Sequence, residues 1–284
     1  MIREWLEEYK PVNNQEADQA LREIMQEIAL AGLERAGFFE VAAFYGGTAL
    51  RIFHKLPRYS EDLDFSLLKE KPGFSLKPYL NKMVEEFKAL GMIVTVKEKD
   101  KTAQTPIDSA FLKADTTWKE IILKGVIPQE KLTSRPEIKI KLEVDTHPPL
   151  GFETEELLLL KPYSFYVKCY TLPDLFAGKM HALLFRKWGT RVKGRDWFDL
   201  EWYIKKGVAP DLKHLAIRAR DSGDWQDETM TPAQLTQLLE EKISSVSFDR
   251  IREDVIKFIP DPKAITIWSP KYFTDLVKQL KVER

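Results

Sequence analysis

The segments GGTAL at positions 46–50 and RYSEDLDF at positions 58–65 carry more information about this chain than any other part of it. Asp62 and Asp64 flank Leu63 ahead of an apolar run, and residues two apart in a strand project from the same face. Two carboxylates held together repel each other unless a cation lies between them, and hard oxygen ligands suit Mg²⁺. The pair therefore predicts a site for Mg²⁺ or Mn²⁺ on Asp62 and Asp64.

The segment that precedes this pair predicts a phosphate contact. Residues 39–45 are apolar and partly β-branched, which indicates a buried strand. Gly46 and Gly47 then allow a turn and a close approach to a ligand, and Thr48 can cap a short helix over residues 49–54. The first turn of such a helix presents free N–H groups to an anion, so Gly47 and Thr48 are predicted to hold phosphate through their backbone N–H groups. Each feature alone is common, but strand, glycine turn, helix and acidic strand together are the order that a nucleotidyl-transfer site needs.

A third acid is expected on a neighbouring strand. Residues 138–145 alternate apolar and charged side chains, so one face belongs to the core and the other carries the charges. A solvent-facing edge strand would show the same alternation. Glu143 is the first candidate for a third metal ligand and Asp145 is the second.

Lys179 occupies an unusual position in a predicted helix over residues 172–187. At about 100° per residue it lies in the middle of an arc of apolar side chains. An unpaired ammonium is costly to bury, so this lysine must extend to solvent, pair with an acid or meet an anion. Lys179 is therefore a candidate catalytic residue.

The next predicted helix, residues 194–203, carries Asp196 and Asp199 three positions apart and hence on one face. An aromatic-rich core helix with a surface salt bridge would have the same pattern. Asp196 is the first candidate for a site residue and Asp199 is the second. Asp196 could hold Lys179 or orient an acceptor hydroxyl. The basic segment 186–195, which contains Trp188, could contact a triphosphate or RNA.

These motifs resemble those of the AbiEii/AbiGii toxin family in the polymerase-β-like nucleotidyltransferase superfamily, which includes the MenT toxins. The resemblance rests on residues 46–50, on Arg58 and Ser60 leading into residues 62–65, and on the lysine and Arg-Asp-x-x-Asp helices, and it covers about residues 38–204. Thr48 stands where serine is common in the family, and the spacer before Asp62 is somewhat long. The resemblance implies that Arg58 and Ser60 help bind the nucleotide, that Glu143 completes the site and that Lys179 is essential.

The resemblance also implies a function. It implies metal-dependent transfer of a nucleoside monophosphate from a nucleoside triphosphate to an acceptor hydroxyl, with the 3′ end of tRNA as the acceptor. The protein would be the toxin of a toxin–antitoxin or phage-defence pair, with a cognate antitoxin as partner. Two alternatives stay open: transfer to a small molecule or a protein hydroxyl, and nucleotide binding without turnover.

Composition limits the partners. The chain has 44 basic and 44 acidic side chains and no net charge, so any nucleic acid must be bound by a local patch. A single cysteine excludes an internal disulfide, which is typical of a reducing compartment. The sequence contains no apolar run long enough for a membrane span and its N-terminal segment is acidic, so we expect a cytoplasmic protein that does not bind a membrane.

The strand patterns all precede residue 170, together with an N-terminal helix near residues 15–35 and a helix near residues 77–90, and the pattern beyond residue 170 is helical. This order predicts an α+β fold, with a nucleotidyltransferase-like mixed-sheet lobe over residues 1–170 and a helical lobe over residues 171–284. The catalytic cleft is expected between the two lobes, with Lys179 and Asp196 contributed by the helical one.

Overall fold

The computed structural model describes residues 1–98, 107–114, 138–186 and 193–282, and for residues 97–98 and 107–114 it describes the backbone alone. The chain divides into two compact units. The first comprises Met1–Phe53, Ser60–Pro148 and Glu156–Cys169. The second comprises His54–Tyr59, Pro149–Glu155 and Tyr170–Arg284. The domain boundary expected at residue 170 stays a prediction.

The first half of the chain alternates helices with the strands of one mixed sheet. Its helices are α1 (Ile2–Glu8), α2 (Asn14–Arg35), α3 (Gly46–His54) and α4 (Lys77–Ala89). Its strands are β1 (Ala42–Tyr45), β2 (Asp62–Leu67), β3 (Val94–Glu98), β4 (Ile107–Ala114), β5 (Lys139–Asp145), β6 (Thr154–Leu159) and β7 (Phe165–Tyr170). Most of these elements belong to the first unit.

The described strands form a seven-stranded sheet in the order β3-β4-β5-β2-β1-β7-β6. The central strand β2 runs antiparallel to β1 and parallel to β5, and the register places Asp64 opposite Glu143. Alternate residues are buried along β5 and over Asp62–Phe65 of β2, which leaves the charged residues of these segments on the opposite face. The strand register and the alternation of side chains along each strand therefore determine which charged residues of β2 and β5 are neighbours.

The core of the first unit combines aromatic rings with closely packed helices. Phe38, Phe44 and Phe65 are fully buried, and the Phe65 ring centroid lies 5.0 Å from that of Phe38 and 5.2 Å from that of Phe44. Helices α2 and α4 pack so closely that a Cβ on Gly32 would lie 2.5 Å from the Cα of Met83. Burial of these rings and helix faces contributes to the hydrophobic stabilisation of the unit.

The second unit is helical. Its helices are α5 (Leu172–Phe185), α6 (Gly194–Lys206), α7 (Leu212–Asp221), α8 (Pro232–Ser245), α9 (Phe248–Val255) and α10 (Pro270–Val277). Trp197 of α6 is buried edge-on against Phe248 and Phe273, with ring centroids 5.2 and 5.0 Å away. These contacts join α6, α9 and α10, and so hold the helix that carries Asp196 and Asp199.

The α+β class is confirmed, and so are most of the predicted elements, but two boundaries near the glycine motif were wrong. Helix α3 begins at Gly46 rather than at Ala49, so Thr48 lies inside the helix instead of capping it. Strand β1 is also shorter than predicted, because Phe38–Glu40 forms a 3₁₀ turn before it. Within the described ranges, none of the helices combines the length and the hydropathy that a bilayer span requires.

Candidate functional site

Two acidic residues of β2 lie on one face of the sheet, as the sequence predicts. Asp62 and Asp64 are partly exposed while Leu63 between them is fully buried. The parallel register aligns Asp62 with Lys141 and Asp64 with Glu143 on β5, and aligned residues of neighbouring strands project to the same side. We call Asp62, Asp64, Lys141 and Glu143 the acid face.

Gly46 lies directly against the acid face. Its φ is +83°, and a Cβ built on it would be 2.5 Å from Asp64 Oδ2 and 3.2 Å from Asp64 Cβ. A residue with a side chain would therefore be strained and would collide with the carboxylate. The glycine places the Asp64 carboxylate at the first residue of α3, where the helix dipole favours negative charge.

Thr48 and Ser60 form hydrogen bonds where α3 meets the start of β2. Thr48 is fully buried, and its hydroxyl donates to the carbonyl of Asp62 and lies 2.9 Å from Ser60 Oγ. The side chain of Gln26 in turn donates to the carbonyl of Ser60 over 3.2 Å. The Thr48 hydroxyl thus fastens α3 to the start of β2. The phosphate contact predicted for the backbone N–H groups of Gly47 and Thr48 does not involve this hydroxyl and stays a prediction.

The two candidates for a third acid have different surroundings. Glu143 lies opposite Asp64, and its Oε1 is 2.5 Å from the ammonium of Lys141. Asp145 lies opposite Ser66, and its Oδ1 accepts from the backbone N–H of His147 over 3.0 Å. Glu143 is therefore the acid that lies beside the Asp-x-Asp pair, and it shares that face with a lysine.

The acid face fits a divalent cation on the chemistry of its donors. In the part of the chain that the structure describes, no three acidic, histidine or cysteine side chains converge as a protein-only metal cage. Mg²⁺ does not need such a cage, because it is often held by one or two carboxylates, water and substrate phosphates. Asp62 and Asp64 supply two carboxylates on one face, which matches that mode of binding.

Lys179 of α5 pairs with acids of α6. Its Nζ lies 2.8 Å from Asp199 Oδ2 and 3.7 Å from Asp196 Oδ1, and its side chain is 18% exposed. Of the three outcomes expected for a lysine among apolar neighbours, pairing with an acid is the one observed. We call Arg58, Lys179, Asp196 and Asp199 the lysine cluster; all four belong to the second unit.

Asp199 is the centre of the lysine cluster. It is fully buried, and Arg58 grips it with two hydrogen bonds, Nε to Oδ1 at 2.6 Å and Nη2 to Oδ2 at 2.7 Å. Burial alone would raise the pKa of Asp199, but the charges of Arg58 and Lys179 outweigh it and lower the pKa to about 2. Burial and the nearby Asp199 charge raise the pKa of Tyr203 well above its usual value. Asp199 is therefore ionised at neutral pH and Tyr203 is not.

The placement of Arg58 differs from the sequence-based interpretation. The resemblance implies that Arg58 contacts the nucleotide, whereas the structure buries it. Each of its three guanidinium nitrogens donates within the protein, the third to the Tyr59 carbonyl at 3.0 Å. Asp196, the preferred aspartate, is also buried but lies further from Lys179 than Asp199 does. No local sequence pattern predicts the Arg58–Asp199 pair, because the two residues are 141 positions apart in the chain.

The candidate residues fall in the two units. Gly46, Gly47, Thr48, Ser60, Asp62, Asp64 and Glu143 lie in the first, and the lysine cluster lies in the second. The cleft expected between the lobes stays a prediction. Residues 187–192 of the basic segment, including Trp188, lie outside the described residues.

Comparison with known proteins identifies a family. The model described as "Nucleotidyl transferase AbiEii toxin, Type IV TA system" matches residues 28–277. No curated protein matches the chain. Among solved structures, a candidate nucleotidyltransferase from H. pylori is 18% identical, with a TM-score of 0.47 over 89% of this chain and 91% of that one. JHP933 from Helicobacter pylori is 17% identical, with a TM-score of 0.46 over 89% and 88% of the two chains.

Proposed function

This chain belongs to the AbiEii nucleotidyltransferase toxin family, and from that premise we propose that it transfers a nucleoside monophosphate from a nucleoside triphosphate to an acceptor hydroxyl. The proposal is carried by one observation, the contact between Gly46 and the Asp64 carboxylate on the face that also holds Asp62. This contact brings a helix N-terminus suited to phosphate together with two carboxylates suited to a cation.

The three carboxylates of the acid face are the metal ligands in the proposal. Asp62 and Asp64 hold Mg²⁺ or Mn²⁺, and Glu143 is a further ligand. When bound, the cation neutralises charge that develops on the phosphoryl group. Backbone N–H groups at Gly46, Gly47 and Thr48 bind phosphate oxygens. The side chains of Thr48 and Ser60 hold α3 at the start of β2 through the Thr48 bond to Asp62.

The lysine cluster has a complementary role. Lys179 places positive charge at the phosphoryl oxygens, where electrostatic stabilisation lowers the barrier to transfer. Asp199 holds the ammonium through its 2.8 Å contact, and Asp196 either supports Lys179 from 3.7 Å or orients the acceptor hydroxyl. Both aspartates are already buried against cations, which suits them to orienting other groups.

The acceptor and the partner are finer parts of the proposal. We propose that a cognate antitoxin controls the protein, because the family model describes a type IV toxin–antitoxin system. We also propose the 3′ end of tRNA as the acceptor, which is what the resemblance of the sequence motifs to the family implies. The chain carries no net charge, so tRNA binding requires a local cluster of basic residues rather than general attraction.

The test uses Asp62→Asn together with Asp64→Asn, which removes both charges with little change in shape. The variant and the wild-type protein are incubated with each α-labelled nucleoside triphosphate, Mg²⁺ or Mn²⁺ and total RNA. We expect label on tRNA with the wild type, and a loss of at least about 100-fold with the variant. Asp275→Asn, a change at an exposed residue of α10, should transfer label normally.

Each outcome of this experiment has a meaning. Label on a protein or a small molecule would leave nucleotidyl transfer in place and overturn the tRNA acceptor. Equal transfer by the double variant would overturn the assignment of the acid face. Nucleotide binding by the wild type without any labelled product would overturn the proposed reaction.

A further inference from the structure

Arg58 is the member of the lysine cluster that has no part in the reaction proposed above. It is 1% exposed, so it cannot reach a ligand in solvent without leaving its place. Its segment is held by further backbone bonds, from Arg58 N to the Leu56 carbonyl at 2.9 Å and from Tyr59 N to the Phe258 carbonyl at 2.8 Å. A charged side chain buried on a fixed segment requires a reason, because burying charge is costly.

The geometry at Asp199 supplies that reason. Asp199 Oδ2 accepts from both Arg58 Nη2 and Lys179 Nζ, at 2.7 and 2.8 Å, while Oδ1 accepts from Arg58 Nε at 2.6 Å. Two parallel bonds from a planar fork fix the plane of a carboxylate, which a single ammonium contact does not. The direction in which Asp199 holds Lys179 therefore depends on Arg58.

Arg58 also changes the charge balance around Lys179. Without Arg58, Lys179 would be the main cation beside the buried Asp199 carboxylate, and the two would attract each other strongly. Because Arg58 shares the charge of Asp199, Asp199 attracts the Lys179 ammonium less strongly than it would without Arg58. The other acid near Lys179 is Asp196, at the longer distance of 3.7 Å. The ammonium is therefore oriented without having Asp199 to itself, and its charge can attract an incoming phosphate.

We propose that Arg58 is a positioning residue for Lys179, acting through its fork on Asp199 to keep the lysine ammonium oriented toward an anionic phosphoryl group. This inference rests on the role proposed above for Lys179. Arg58 itself touches neither nucleotide nor acceptor in this proposal.

The first arm of the test measures the environment of the Lys179 ammonium by NMR and does not depend on the reaction. Proton–nitrogen correlation spectra of the lysine ammonium groups should contain a protected signal, assigned to Lys179 because Lys179→Arg removes it. We expect this signal to be lost or broadened in Arg58→Met and Asp199→Asn. It should persist in the control Arg35→Met, which removes an arginine that pairs with Glu86 at 3.1 Å in the first unit.

A second variant keeps this arm informative if Arg58→Met does not fold. Arg58→Met combined with Asp199→Leu removes the buried pair together, which leaves no uncompensated charge at that pair. We expect a folded protein by circular dichroism that lacks the protected Lys179 signal. A protected signal at its original position in the folded double variant would overturn the inference.

The second arm of the test measures kcat/KM for label transfer. We expect Arg58→Met to lower kcat/KM for label transfer by about 100-fold, as misplacement of a catalytic group does. Arg58→Lys, which keeps the charge and loses the fork, should recover only part of this loss. If Arg58 acts through Lys179, Lys179→Met and the Arg58→Met, Lys179→Met double variant have the same kcat/KM. A further loss in the double variant, similar to that of Arg58→Met alone, would overturn the positioning role.

The two arms separate this inference from the proposed function. Absence of transfer by the wild-type protein, with its Lys179 signal lost in Arg58→Met, would overturn the function and leave Arg58 as the residue that orients Lys179. Transfer by the wild type that is unchanged in folded Arg58→Met would overturn the inference and leave the function.

Discussion

The acid face and the lysine cluster each contain acidic residues beside a lysine, but they differ in how they are solvated. On the acid face Asp62 and Asp64 are partly exposed, and the Lys141–Glu143 pair is 33% and 28% exposed. In the lysine cluster Asp199 is fully buried and holds Arg58 and Lys179 at hydrogen-bonding distance. The comparison indicates that accessible carboxylates can receive a ligand, whereas buried ones must be neutralised by the protein itself.

The largest expected effect is on stability and follows from removing Asp199. Asp199→Ala leaves the buried Arg58 without its partner, so we expect the free energy of unfolding to fall by about 3–5 kcal/mol. Asp62→Ala, at a partly exposed site, should change it by less than about 1 kcal/mol. Urea denaturation of both variants measures the difference. Equal losses would show that the two regions do not differ as the structure indicates.

The next effect concerns acid denaturation. The pKa of Asp199 is lowered to about 2, so its ionised form stabilises the folded state above about pH 4, and this contribution is lost as the pH falls toward 2. A shift of this size corresponds to about 2–3 kcal/mol. We expect the unfolding free energy of the wild type to decrease over this range and that of Asp199→Asn to decrease less.

Asp275 is a matched control for that measurement. Hydrogen bonds from Lys271 and Lys278 lower the pKa of Asp275 to about 2 as well, but Asp275 is exposed on α10. Because solvent screens exposed pairs, Asp275→Asn should leave the acid dependence close to that of the wild type. A larger effect from Asp275 than from Asp199 would contradict the importance of burial.

A smaller effect is expected at Gly46. Gly46→Ala should cost about 1–2 kcal/mol because of its positive φ, and should also displace Asp64, which impairs cation binding and label transfer. Gly91→Ala is the control, since its φ is +73° but a Cβ there meets nothing within 4 Å. Titration with Mn²⁺ should show weaker binding in Gly46→Ala alone. Equal Mn²⁺ affinity in both variants would refute the steric role of this glycine.

The smallest effect on stability is expected at Lys141. Lys141→Met breaks a partly exposed ion pair and should change the unfolding free energy by less than about 1 kcal/mol. It should nevertheless strengthen Mn²⁺ binding, because Glu143 loses a competing cation on the acid face. Lys82→Met, which breaks an exposed pair with Glu85 on α4, should leave Mn²⁺ affinity unchanged. Weaker binding in Lys141→Met would indicate that the lysine supports the site.

Local sequence patterns predicted several secondary-structure elements and one property of the candidate site. The alternation in residues 138–145 matches β5, and the apolar periodicity from residue 172 matches α5, because strand and helix periods are written in neighbouring residues. The position of Lys179 among apolar residues predicted that it needs a partner or an anion, since an unpaired buried ammonium is costly. The start of α3 at Gly46 was missed, because a glycine pair is read as a turn before a helix rather than as its first residues.

What the amino-acid sequence determined by itself was therefore the set of elements, the Asp-x-Asp spacing and the need of Lys179 for a counterion. Only the tertiary structure decided that Asp64 lies opposite Glu143, 79 positions later in the chain, and that Asp199 is neutralised by the distant Arg58 together with Lys179. Hydrophobic periodicity and charge spacing describe residues that are close together in the sequence. Strand register and the partner of a buried charge are set instead by packing between segments that are distant in the sequence.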